Sequence, residues 1–338
     1  MSRTLRLVAF LVGAAILALL IREVGVDTLA EGARTVGWFA IPIVALHAVV
    51  YGLNAVAWWI TLAHEPGAPP FRSILRISVV GFAINFVTPV VNAGGEPYRM
   101  AALTPWLGAR KAAGSVLQYA MLHALSSLLM WLTAIIAALT LPGVHGRIWW
   151  VLLAMGGVIV AALGVVRSGH RHGFVARLAG WIARRRLGRL SAWLTKQEEA
   201  LVAVDAQITT LHAERPGRLG AAIAVDYLSR WVAMAELLLV AYAVGTPLGI
   251  TPAVMISGLS ALAMNLLFML PWEMGSREGS LYYFFGLAGV PASLGLIAAV
   301  MTRLREIVWC ALGLALAGPG GRAAAAEARA GHTTPPAA

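Results

Sequence analysis

Two stretches of this 338-residue chain, each fifteen positions long, concentrate the residue types that can bind a charged ligand. The first runs from Asn85 to Arg99 and the second from Asn265 to Gly279, and we call them the first break and the second break. Each contains an asparagine, then a proline, then glycine, then glutamate with a nearby arginine. Proline and glycine release backbone groups from the hydrogen-bond ladder of a helix. Freed amides at the start of the next half-helix, together with an arginine, form a site for a phosphate group.

A single break of this kind has a plain structural interpretation, in which the glutamate and the arginine only satisfy exposed backbone groups. Inside hydrocarbon, those groups must be met by protein or by a water-filled cavity. Because the same residue types recur in the same order in two distant parts of the chain, a functional site is favoured over two unrelated kinks.

Six charged residues interrupt two long apolar runs in the C-terminal half of the chain. They are Asp226, Arg230, Glu236, Arg303, Arg305 and Glu306. Facing lipid at the membrane centre, each would cost roughly 2.5–3.5 kcal/mol, so most must face the interior of a helix bundle or lie near its ends. Asp226 and Arg230 are four apart and Arg303 and Glu306 three apart, so each pair shares a helix face. Two interpretations stay open: internal ion pairs between helices, or a polar path for a substrate.

We therefore expect nine residues to contact the substrate and three to form a charge relay. The substrate-binding candidates are Asn85, Gly94, Gly95, Glu96, Arg99, Asn265, Arg277, Glu278 and Arg303. The relay candidates are Asp226, Arg230 and Glu306. The sequence has no Gly-rich nucleotide loop, no Ser/His/Asp arrangement and no metal-ligand spacing, so we predict no catalytic residue, no metal site and no cofactor.

The elements that position these residues follow from the composition, which is 59% hydrophobic and only 12% charged. Soluble domains contain about 25% charged residues, so a soluble enzyme and a disordered chain are both excluded. A helix needs about 20 apolar residues to cross a bilayer. Six runs meet this length, and a retained helix is favoured over a signal peptide for the first. The runs are Leu5–Ile21, Gly37–Ala63, Ala112–Leu141, Ile148–Val166, Leu219–Gly245 and Pro291–Gly318.

Each break separates a moderately long apolar segment from a short one. The longer segments are Ser73–Pro89 and Pro252–Leu270, and the shorter ones are Pro97–Leu107 and Gly279–Val290. At 1.5 Å per residue, the short segments extend only about 17–20 Å and cannot cross a membrane alone. We therefore predict that each pair of segments enters the membrane and returns to the side from which it came.

Charge counting sets the orientation. Residues 167–218 contain ten Lys/Arg against four Asp/Glu, and the positive-inside rule places such a segment in the cytoplasm. With both segment pairs re-entrant, the N-terminus and the C-terminus are also cytoplasmic. The first break then opens to the cytoplasm and the second to the exterior.

The fold class predicted is an all-α polytopic transmembrane bundle with two inverted repeats, each containing a re-entrant broken-helix pair. The expected units are an N-terminal helix and loop, a first repeat, a connecting helix, a basic cytoplasmic segment, a second repeat and a disordered tail. Their bounds are 1–36, 37–147, 148–166, 167–218, 219–318 and 319–338.

The basic segment also predicts partners. Between Arg171 and Arg189, apolar residues recur at helical spacing among arginines, a pattern typical of a helix lying on an anionic membrane surface; a solvated basic loop is the alternative. We expect membrane lipids and the anionic inner leaflet as partners and no nucleic acid, and a homo-oligomer is compatible with the sequence. The arginine-rich and alanine-rich composition favours a GC-rich bacterium, and hence its inner membrane.

Both breaks carry motifs of a known family. The chain resembles the lysylphosphatidylglycerol synthase transmembrane-region family of flippase-like membrane proteins. The family pattern of a proline and then Gly-Gly-Glu-Pro-x-Arg is matched by Pro89 and by residues 94–99. A later Pro-Gly-x-x-Gly-x-x-Glu-Gly motif is matched at Pro271, Gly275, Glu278 and Gly279, although Trp272 and Glu273 replace the usual glycines.

The resemblance implies, for most of the chain, a membrane protein that moves phospholipids, polyprenyl-linked groups or hopanoid lipids between leaflets. It also aligns Arg303 with an arginine in the last span of the family. A transporter is therefore expected rather than an enzyme. Two alternatives stay open: an integral membrane enzyme that acts on a lipid-linked phosphate, and a non-catalytic partner of a lipid-modifying enzyme.

Overall fold

A computed structural model describes residue 22 and residues 26–88, 94–172, 216–266 and 275–317. Throughout these ranges the regular secondary structure is helical and contains no strand, as predicted for an all-α protein. Several predictions lie outside the described residues: the span Leu5–Ile21, the membrane-surface helix, which extends to Arg189, the C-terminal tail, and the prolines Pro89 and Pro271.

Most helices follow the apolar runs of the sequence, but residues 26–36, expected to be part of a loop, form an additional helix. A short 3-10 turn at Gly37–Phe39 joins the first two helices. In chain order the helices are α1 (Val26–Val36), α2 (Ala40–Leu62), α3 (Phe71–Val87), α4 (Gly95–Leu139), α5 (Arg147–His172), α6 (Pro216–Ala243), α7 (Ile250–Leu266), α8 (Ser276–Leu287) and α9 (Ala292–Ala317).

Within the described ranges, three helical segments are long and apolar enough to cross a membrane, namely Arg34–Leu62, Gly95–Leu139 and Arg147–Gly164. Helices α6 and α9 contain 28 and 26 residues, which corresponds to about 40 Å each. The apolar sequences of both helices contain the charged residues noted above, and partners inside the bundle must neutralise those charges.

Short helices flank both breaks, as the sequence predicts. Helices α3 and α7 each have 17 residues, and α8 has 12. The segment 95–107 forms the beginning of α4 and ends at Gly108, whose φ of 76° and ψ of 159° interrupt the helix. Since an L-amino acid rarely adopts a positive φ, glycine is required at this bend.

The helices pack in a reciprocal pattern. Helix α2 packs against α6, α3 packs against α9, and α7 packs against α4. Glycines allow two of these crossings to be close: Gly313 of α9 lies against Ala83, and Gly258 of α7 lies against Ala134. Among the described residues, the largest cluster of buried apolar side chains includes residues of α4, α6, α7 and α9.

Candidate functional site

At the first break, the side chain of Asn85 accepts a hydrogen bond from the first backbone amide of α4. The backbone N–H of Gly95 donates to Oδ1 of Asn85 over 2.6 Å, and Nδ2 of Asn85 lies 3.4 Å from Oε1 of Glu96. The same carboxylate oxygen accepts a hydrogen bond from Nη1 of Arg99 at 3.1 Å. The amide at the helix start is therefore occupied by a side-chain oxygen, and the arginine is paired with a carboxylate.

Glycines shape the space around Arg99. A Cβ atom at Gly81 would lie 2.6 Å from Nε of Arg99, and one at Gly95 would lie 2.7 Å from Oδ1 of Asn85. Both distances are shorter than van der Waals contact, so neither position accepts a side chain without displacement of its neighbours. The glycines at the break serve close packing between α3 and the beginning of α4.

We expect the substitution Gly95→Ala to lower the free energy of unfolding by about 1–3 kcal/mol, because the new methyl group overlaps the Gly81 carbonyl and Asn85. The matched control is Gly157→Ala at an exposed position of α5, where nothing lies within 4 Å of the new Cβ. Unfolding in mixed micelles measures both variants. Equal stability of the two would contradict the close packing described.

At the second break, the carboxylate of Glu278 accepts a hydrogen bond from the backbone at the beginning of α8. Its Oε2 accepts the backbone N–H of Gly275 at 2.9 Å, and its Oε1 lies 3.3 Å from Nη2 of Arg303 on α9. Gly275 has a φ of 78°, a conformation that favours glycine. Both breaks thus share a carboxylate in the first helical turn that contacts an arginine.

A chain of ion pairs extends from the second break into the bundle. Nη1 of Arg277 lies 2.7 Å from Oε1 of Glu306, and Nη2 of Arg305 lies 3.4 Å from the same oxygen. Arg305 also contacts Oε2 of Glu236 on α6 at 3.0 Å and hydrogen-bonds to His47 on α2. These side chains are almost entirely buried, so their charges interact in a medium of low polarity.

Asp226 lies at the centre of a separate polar cluster between α4 and α6. Its side chain is fully buried, Nδ1 of His123 lies 3.1 Å from Oδ1, and Nη2 of Arg230 lies 3.5 Å from Oδ2. The Ser126 hydroxyl donates to Asp226 and accepts from Nε of Arg230. The ring of Tyr119 lies 5.8 Å from that of His123.

The structure brings most of the predicted residues together in pairs. Asn85, Gly95, Glu96 and Arg99 are in mutual contact, and Gly94 adjoins them against Thr88. Asp226 and Arg230 contact each other within α6, as their spacing indicates.

Three other candidates have different surroundings. Arg303 and Glu306 share a helix face but bind different residues of α8, Glu278 and Arg277. Asn265, in contrast to Asn85, is exposed, and its Nδ2 donates back to the Ala261 carbonyl of its own helix.

Sequence reasoning missed the contribution of His123 and Ser126, and it assigned no site role to His47 or Arg305. His123 and Asp226 are 103 positions apart, so no local spacing could indicate their contact. Arg305 was recognisable only as one of several intramembrane charges.

The exposure of these groups determines what the site can do. Glu96 and Glu278 are each 35% exposed, whereas their partners Arg99 and Arg303 are 14% and 3% exposed. Each guanidinium therefore lies behind a carboxylate that reaches the surface of the bundle. A phosphate can bind such an arginine by taking the place of the carboxylate, since both are bidentate acceptors for a guanidinium.

Comparison with known proteins gives one match. A family model described as the lysylphosphatidylglycerol synthase transmembrane region matches residues 6–313. No curated protein and no solved structure matches the chain. The match covers nearly the whole chain, including both breaks and the helices around them.

Proposed function

Since the chain belongs to the lysylphosphatidylglycerol synthase transmembrane-region family, we propose that it moves a phospholipid or a lipid-linked phosphate between membrane leaflets. Family membership and the long apolar helices identify an integral membrane protein related to lipid metabolism. The movement itself is the proposal, and it requires a headgroup site that lipid can reach from both sides.

The observation that carries the proposal is a carboxylate at the start of a helix in each break that pairs with an arginine. Glu96 pairs with Arg99 and Glu278 pairs with Arg303 of α9, and the two carboxylates have the same partial exposure. An anionic headgroup that binds the arginine releases the carboxylate, so occupancy by lipid changes the contacts at the helix start. A ligand shifts a protein between two conformations only if it binds one of them more tightly. The exchange of carboxylate for phosphate is a source of such a difference in affinity.

The reciprocal packing supports an inverted repeat. If α2 corresponds to α6, α3 to α7 and α4 to α9, then the α3–α9 contact corresponds to the α7–α4 contact. In each of these two crossings, the helices approach closely at a glycine. On this proposal the units are residues 37–147 and 219–318, each short helix pair is re-entrant, and alternating access moves one unit against the other.

The orientation forms part of the same proposal. The basic segment 167–218 faces the cytoplasm of a bacterial inner membrane, where anionic lipids attract its arginines. The chain termini then lie on the cytoplasmic side. The first break receives lipid from the inner leaflet and the second break receives it from the outer leaflet.

The experiment that tests the proposal is lipid movement in proteoliposomes that contain fluorescent phosphatidylglycerol. We expect the protein to accelerate transbilayer movement and the substitution Arg99→Gln to slow it by roughly tenfold or more, the equivalent of one charge-assisted hydrogen bond. The matched control is Arg72→Gln, an exposed arginine in the first turn of α3. The function would be refuted if the wild-type protein accelerated the movement of neither phosphatidylglycerol nor a polyprenyl phosphate. Equal rates for the two variants would refute the site.

A further inference from the structure

Helix α6 contains two buried carboxylates that the proposed lipid sites do not use. Asp226 and Glu236 are ten positions apart, and both side chains are almost completely shielded from solvent. Ten residues correspond to about 15 Å along a helix axis, which is half the thickness of the hydrocarbon core of a bilayer. Each carboxylate contacts one histidine and one arginine.

The first of these groups connects the bundle interior with its surface. His123 is 44% exposed, yet its Nδ1 lies 3.1 Å from the fully buried Oδ1 of Asp226. The charged and titratable groups that face this carboxylate are His123 of α4 and Arg230 of α6, and the ring of Tyr119 of α4 lies beside the imidazole, tilted by 38° to it. An imidazole in this position can transfer protons between the surface and the buried carboxylate.

The second group is enclosed by four helices. Nε2 of His47 lies 3.8 Å from Oε2 of Glu236 and also contacts a guanidinium nitrogen of Arg305. A guanidinium only donates hydrogen bonds, so Nε2 is the acceptor and Nδ1 of the neutral imidazole carries the proton. The charged and titratable groups around this pair are Arg305, Glu306, Arg277 and Tyr51.

These groups are unsuited to a purely structural role. A buried ion pair contributes little net stability compared with apolar residues of the same volume, and a histidine is not needed to neutralise an arginine. Histidine is, however, the side chain that titrates near neutral pH, and chains of carboxylates and histidines carry protons in membrane transporters. Two such groups on one helix are the arrangement expected of a coupling element.

We propose that α6 binds and releases protons at Asp226 and Glu236, and that the protein couples lipid movement to a proton gradient. The inference rests on the proposed function, because it assigns an energy source to that movement. It concerns residues outside both breaks, so lipid binding and proton binding can be disturbed separately.

The proton step at Asp226 is a transfer through the imidazole. A hydronium ion on one side of the membrane gives a proton to Nε2 of His123 and becomes water, and Nδ1 gives its own proton to Oδ1 of Asp226. The imidazole stays neutral while the carboxylate becomes a carboxyl group, so the cluster gains one positive charge. Arg230 then lacks its counter-charge, which favours an anionic headgroup nearby. After the change of conformation, the reverse transfers release the proton to water on the opposite side and restore the carboxylate.

The test uses the full chain in vesicles of phosphatidylcholine and fluorescent phosphatidylglycerol, with a pH-sensitive dye inside. A proton gradient should accelerate lipid movement, and proton flux should accompany it. Asp226→Asn and Glu236→Gln should each reduce the proton flux at least about tenfold, because an amide does not take up the proton that a carboxylate binds. Glu65→Gln, which alters a carboxylate in the loop between α2 and α3, is the control that should retain the gradient response.

His123→Gln provides a second variant that leaves the buried carboxylate in place, should Asp226→Asn fail to fold. It should also lose the gradient response. Lipid movement with the same rate in the presence and absence of a gradient would overturn the coupling and leave the flippase function intact. A gradient response that survives in folded Asp226→Asn and His123→Gln would overturn the assignment to this cluster. Absence of lipid movement under all conditions would overturn the flippase function and the coupling together.

Discussion

Replacing Glu306 with glutamine is expected to lower the free energy of unfolding by about 3–5 kcal/mol, the cost of removing one partner from a buried ion pair. Glu306 accepts hydrogen bonds from Arg277 at 2.7 Å and from Arg305 at 3.4 Å. A glutamine oxygen preserves the shape but not the charge, so two buried guanidiniums lose a neutralising carboxylate. Unfolding in mixed micelles, followed by loss of helical signal, measures the change.

The surface ion pair of the same chain is the matched comparison. Nζ of Lys111 lies only 2.6 Å from Oε2 of Glu65, but the lysine side chain is half exposed. Exposed ion pairs of this kind contribute less than about 1 kcal/mol to the free energy of unfolding. Glu65→Gln should therefore be nearly neutral. The double variant Arg277→Gln/Glu306→Gln should be less destabilised than the sum of the single variants, because the two residues interact directly. A Glu306→Gln variant as stable as Glu65→Gln would contradict the buried network.

Hydropathy located the long apolar helices, but not α1 (Val26–Val36), whose mixed sequence contains Asp27, Glu31 and Arg34. The predicted runs Gly37–Ala63 and Pro291–Gly318 correspond to α2 at Ala40–Leu62 and α9 at Ala292–Ala317. Such agreement is expected where a long apolar run is the only requirement for a membrane helix. The short helices beside the breaks also follow the sequence, because proline and glycine punctuate the apolar pattern there.

The contacts within the site were only partly predictable. Asn85 and Glu96 are close in sequence, and the packing of α3 against the beginning of α4 brings them together. Arg303 and Glu306 show the limit, because their spacing indicates a shared helix face but not which residues of α8 they bind. Ion-pair partners are selected by the packing of distant helices, which a single sequence does not reveal.

The two asparagines of the breaks illustrate the same limit. Asn85 caps the beginning of α4, whereas Asn265 bonds to its own helix. Identical residue types at matching positions therefore have different roles, because the cap depends on where the next helix begins. The second break uses Glu278 for this purpose instead.

Opposite accessibility of the two breaks is the central claim, and it predicts an all-or-none result. Pro97 in the first break and Gly279 at the end of the second are both exposed on the bundle, and the proposed openings place a cysteine at each position within reach of a reagent on one side of the membrane. The chain has one native cysteine, Cys310, which is fully buried. It should not react in the folded protein and provides an internal control.

The measurement is labelling of Pro97→Cys and Gly279→Cys by a maleimide that cannot cross membranes. Inverted repeats predict that position 97 reacts only in inside-out vesicles and position 279 only in right-side-out vesicles. The opposite assignment of both would reverse the orientation but keep the inverted architecture. Labelling of both positions from the same side would contradict the inverted repeats, and with them alternating access through the two breaks.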